Sequence, residues 1–69
     1  MAGQFSEDLN FTMAELHTEA LRELRLRRSI YPNRVTTGRL SAAKAERYLR
    51  LQMRIVDVLG ELAHTERLL

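Results

Sequence analysis

The chain has no cysteine and no tryptophan, and it contains one proline and three glycines among 69 residues. Without cysteine, neither a disulfide framework nor a thiolate metal site is available. A chain this short buries little core, and such domains usually rely on a disulfide, a metal or self-association. The two histidines, His17 and His64, have no cluster of further ligands beside them in the sequence, which leaves self-association as the expected device. No apolar run approaches the ~20 residues that a membrane span requires. The opening Met-Ala-Gly-Gln-Phe-Ser-Glu-Asp lacks the basic and apolar regions of a secretory signal. The expectation is one soluble, cytoplasmic domain covering residues 1–69.

Reactive chemistry is equally scarce. No paired-carboxylate, Ser-His-Asp or Cys-His arrangement stands out, and no glycine-rich loop cradles a phosphate. His17-Thr18-Glu19 and His64-Thr65-Glu66 repeat a tripeptide. On a helix, however, i and i+2 project about 200° apart, so each His and Glu pair cannot converge on one ligand. His17 reads as a boundary residue beside an apolar stripe, and His64 as solvent-facing. The expectation is a protein that is not an enzyme, with no catalytic residue, no metal and no cofactor.

What the chain does have is two long amphipathic segments separated by residues 30–41, where Pro32 and Gly38 lie. Pro32 disfavours the α conformation at Tyr31, so the first helix is expected over about 6–29, with Ser6 as its N-cap and Glu7 and Asp8 in its first turn. Gly38 suits a positive φ at the end of the corner, and Ser41 is a good N-cap for a second helix over about 42–67. In the first helix Leu9, Met13, Leu16, Ala20 and Leu24 form a stripe about 80° wide. Phe11 and Leu26 lie off it, either as isolated surface residues or as a second contact surface.

In the second helix Tyr48, Leu51, Ile55, Leu59 and Leu62 make one stripe, and Ala45, Leu49, Val56 and Ala63, with Gln52 among them, make a flanking one. Together the stripes exceed the ~100° arc of a helix with one buried side. One partner helix cannot cover them. The fold class expected is therefore all-α: an antiparallel two-helix hairpin pairing into a homodimeric four-helix bundle. Leu51, Ile55, Val58, Leu59 and Leu62 are expected to carry the core, with Leu9, Met13, Leu16, Ala20 and Leu24 opposite, and the flank with Leu49 and Val56 to be covered by the second copy. Gly60 either allows close helix approach or is simply tolerated.

Charge is unevenly spread. Residues 1–21 carry −4, residues 22–39 carry +5 and residues 40–69 carry +1. The corner gathers Arg27, Arg28, Arg34, Arg39, Lys44 and Arg47, and Arg27, Arg28, Tyr31, Arg34 and Arg39 are the candidate partner-binding residues. Tyrosine and arginine are enriched at the energetic centres of protein interfaces. Tyr31 can equally cap the bundle end over Val35 and Leu40. The same arginines admit an alternative, a small dimeric DNA-binding repressor contacting phosphates. Against it, the helices are longer than those of a helix-turn-helix and carry interspersed glutamates, so direct nucleic-acid binding is not expected.

The run Arg27-Arg28-Ser29-Ile30-Tyr31-Pro32, followed by Val35, Gly38-Arg39-Leu40-Ser41, Ala45 and Met53-Arg54-Ile55, resembles small helical-hairpin proteins of temperate phages. The likeness covers roughly residues 24–59 and is greatest to the anti-quorum-sensing anti-activators of Mu-like Pseudomonas phages. It implies a homodimeric, phage-encoded inhibitor in the host cytoplasm. The implied partners are the LuxR-type transcription regulator LasR and, secondarily, the type IV pilus assembly ATPase PilB. Inhibiting the latter would block pilus-dependent infection by other phages, a superinfection exclusion. The resemblance carries no residue-level binding role.

Overall fold

The computed structural model describes residues 9–69, which form two helices packed against each other, α1 (Met13–Thr36) and α2 (Ala42–Leu68). There is no strand among the described residues. At 1.5 Å per residue these are rods of about 36 and 40 Å. The expected all-α hairpin is therefore present. Ser6, Glu7 and Asp8, expected to open the first helix, lie outside the described residues.

α1 begins later and ends later than the expected 6–29, and the corner is correspondingly shorter than 30–41. Residues 9–12 are not helical. The cap is Thr12, extended at φ −73°, ψ 159°, whose Oγ1 accepts from the Glu15 backbone N–H at 3.0 Å. Thr12-Met13-Ala14-Glu15 has the spacing of a capping box, and this local signal outweighs the apolar periodicity that reached back to Leu9. At the other end α1 runs through Pro32 to Thr36. Pro32 has no N–H to give to the Arg28 carbonyl, which forfeits one rung of the helix. Tyr31 on one side of it is buried and Val35 on the other is half-buried, so tertiary packing holds the last turn in place across the missing bond.

The true stop is Gly38. Its φ is +74°, the only positive value among the described residues. The Arg39 N–H reaches the Arg34 carbonyl at 2.8 Å, and the Gly38 N–H reaches the Val35 carbonyl at 3.1 Å. This 6→1 and 5→2 pair is a Schellman closure with glycine in the left-handed position. Gly38→Ala forces a Cβ into that conformation and is expected to lower stability by about 1 kcal/mol, read as a fall in urea midpoint at unchanged slope. Three residues on, Ser41 opens α2 as expected, its Oγ accepting from the Lys44 N–H at 3.1 Å.

Three of the six buried residues between the helices are alanines. Ala20, Leu24 and Tyr31 of α1 are buried, as are Ala45, Gln52 and Ala63 of α2. Gln52, only 5% exposed, donates from Nε2 to the Ala20 carbonyl at 2.9 Å and ties the two rods at mid-length. A Cβ on Gly60 would stand 3.1 Å from the His17 ring, so this glycine admits the imidazole between the helices. At the open end the Glu66 carboxylate accepts from the Met13 N–H at 3.1 Å, placing negative charge at the positive end of α1.

Candidate interaction surfaces

The seven α2 residues expected in the core or on its flank do not form the hairpin's own core. Leu49, Val56 and Leu59 are half-buried, while Leu51, Ile55, Val58 and Leu62 are exposed. The two stripes exchange roles: the alanine-rich flank faces α1, and the large aliphatic stripe faces outward. Small side chains at Ala20, Ala45, Gly60 and Ala63 let the backbones approach closely. The Gln52 bond then fixes that rotation of α2. In α1, Ala20 and Leu24 are buried and Met13 is half-buried, but Leu16 is exposed, and Leu9, ahead of the helix, is almost fully so.

The outward stripe is continuous. Tyr48, Leu51, Ile55, Val58 and Leu62 follow at steps of three, four, three and four, and Leu51, Ile55 and Leu62 are 48, 46 and 46% exposed. The inward line, Ala45, Leu49, Gln52, Val56, Leu59 and Ala63, has the same alternation of four and three. At 100° per residue the two lines lie about 100° apart around α2. That spacing is what a bundle helix needs to meet two neighbours, of which α1 is one.

The five corner residues separate. Tyr31 is buried and shares an apolar hollow with Val35, Ala45 and Leu49, so it closes the hairpin end. Arg27 is half-buried, ion-paired to Glu23 at 2.8 Å and donating to the Tyr48 carbonyl at 3.1 Å, so its guanidinium is engaged within the fold. Arg28, Arg34 and Arg39 are exposed, and none forms an ion pair among the described residues. A second basic line runs along α2, where Arg47 of the expected corner is joined by Arg50 and Arg54, not singled out from the sequence, beside a shallow cleft with Ala43, Glu46 and Leu51. Their spacing of three and four was the available signal. Arg50 pairs with Glu46, whereas Arg47 and Arg54 have no such partner among the described residues.

On α1 the exposed Arg22 guanidinium bonds the Glu19 carboxylate and holds its pKa below the usual carboxylate range, while the carboxylate raises that of Arg22. Surface pairs of this kind add little stability. Among the described residues no three His, Asp or Glu side chains gather as a metal site. Nor is any described helix long and apolar enough to cross a membrane.

Comparison with known protein families, curated proteins and solved structures finds no match to this chain.

Proposed function

We propose that this chain is a non-catalytic inhibitor of other proteins, working as a homodimeric four-helix bundle in the cytoplasm of a bacterial host. The carrying observation is the exposed aliphatic line Tyr48–Leu62. Folded monomers rarely leave a contiguous apolar stripe uncovered, and such stripes mark association surfaces. A second hairpin seated there leaves Arg28, Arg34 and Arg39 exposed at the corner to meet an acidic protein face. Basic rims of this kind speed encounter and select partners by charge.

The sequence resemblance directs the choice of target. On that reading the protein is a phage-encoded anti-activator that occupies a LuxR-type regulator such as LasR and keeps it from DNA, with the pilus ATPase PilB as a second target. The test is competition at a fluorescently labelled operator duplex. The purified chain is expected to release the duplex from the regulator without binding DNA itself. Direct binding of the chain to the duplex, weakening steeply with salt, would instead favour a repressor built on the exposed arginines. Neither release nor binding would remove both readings.

A further inference from the structure

The exposed line of α2 also states how a second copy is seated, an inference that rests on the homodimer reading above. Numbered as a heptad, Tyr48, Ile55, Leu62 and Leu69 occupy the a positions, and Leu51, Val58 and Thr65 the d positions. The flanking g positions hold Arg47, Arg54, Glu61 and Leu68. The opposite e flank is already committed: Gln52 is buried against Ala20, Leu59 is half-buried, and Glu66 caps α1.

Only one direction of pairing agrees with these flanks. Run parallel and in register, two α2 helices bring each g residue to the e residue five positions on in the partner. Arg54 then meets apolar Leu59, and Glu61 meets the acidic Glu66. Run antiparallel, the a and d layers pair Ile55 with Val58, Leu51 with Leu62 and Tyr48 with Thr65. In that register each Arg54 faces the Glu61 of the other copy, twice by symmetry. Neither Arg54 nor Glu61 has an ion-pair partner within the described residues of its own chain. The wider charge pattern agrees. The first half of α2 carries Lys44, Arg47, Arg50 and Arg54 against Glu46, and the second half carries Asp57, Glu61 and Glu66 against Arg67. Antiparallel rods lay the basic half of each on the acidic half of its twin and oppose the helix dipoles favourably.

We infer that two copies of this chain join through antiparallel α2 helices, with Leu51 facing Leu62 and Arg54 ion-paired to Glu61 across the two-fold axis.

Because the chain has no cysteine, introduced thiols report this pairing without background. In the proposed register, Leu62 lies about 16 Å along the axis from its own copy, far beyond disulfide reach. Full-length Leu62→Cys and Leu51→Cys proteins, oxidised separately, are expected to stay uncrosslinked on a non-reducing gel. Mixed before oxidation, they are expected to yield a covalent dimer. Charge reversal gives an independent reading. Arg54→Glu alone and Glu61→Arg alone each place like charges opposite twice, and each is expected to raise the dimer Kd at least about tenfold. An equimolar mixture recovers wild-type association, because each chain then presents the charge the other lacks. Helicity by circular dichroism confirms that the variants remain folded. Efficient crosslinking of Leu62→Cys with itself would overturn the antiparallel arrangement while leaving a dimer in place. A wild-type chain that sediments as a monomer would overturn the dimer and the arrangement together.

Discussion

Ile55→Asp is expected to abolish self-association. Ile55 sits at the middle of the exposed line, 46% open to solvent within one hairpin and facing Val58 of the partner in the pairing inferred above. A two-fold interface receives every substitution twice, so two carboxylates enter the same dry layer and two aliphatic contacts leave it. Losing the apolar burial costs about 2 kcal/mol per copy, and desolvating unpaired charge costs at least as much. The apolar loss alone, counted over both copies, is about 4 kcal/mol and corresponds to roughly a thousandfold rise in dimer Kd. Light scattering on a sizing column should show the variant as a monomer at concentrations where the parent is a dimer. If association stabilises the fold, the parent's melting temperature also rises with protein concentration, and the variant's does not. A variant that still dimerises would place the contact elsewhere.

Gln52→Glu should be the most damaging single change inside the hairpin. The side chain is buried and donates to the Ala20 carbonyl at 2.9 Å. An ionised carboxylate has no hydrogen to donate, so it would bring its lone pairs against that oxygen in a site closed to water. Burying the charge without a partner is expected to destabilise the fold by about 2–4 kcal/mol at pH 7. Burial favours the protonated acid, so the introduced carboxyl has a folded-state pKa above its unfolded value. Stability is then greatest below the unfolded pKa and is lost as pH rises through the folded one. The variant should therefore melt higher at pH 4 than at pH 7 relative to the parent, with Gln52→Leu lacking that difference. Thermal melts of the three proteins across this range measure it.

The elements that were legible in the sequence are those specified by local chemistry. Ser41 caps α2 because a hydroxyl three residues ahead of Lys44 can satisfy an orphan N–H, and Gly38 ends α1 because it alone takes φ +74° without strain. At Pro32 the local preference for ending a helix is outweighed by Tyr31 and Val35, whose burial depends on contacts formed across the hairpin. The start of α1 was open to reading, since Thr12 and Glu15 have capping-box spacing, but an apolar stripe extending to Leu9 obscured it.

The assignment of stripes in α2 could not come from hydrophobicity. Ranking by apolar size sends Leu51, Ile55 and Leu62 toward α1, whereas the hairpin closes on Ala45, Ala63 and the Gln52 bond, where small residues permit close approach. The prediction that α2 has more apolar circumference than α1 can cover remains sound in the structure, with the identities of the covered and uncovered sides exchanged. Tyr31 illustrates the same limit at the candidate site. Its residue type suits an interface centre, yet only the packing of both helices shows that its ring closes the hairpin end.

Sedimentation equilibrium of the full-length chain over a micromolar range tests the central claim most directly, because it asks whether the exposed line of α2 is covered by a second copy. The account predicts a single species of twice the 8.0 kDa chain mass. A stable, fully helical species at the mass of one chain throughout that range would contradict it.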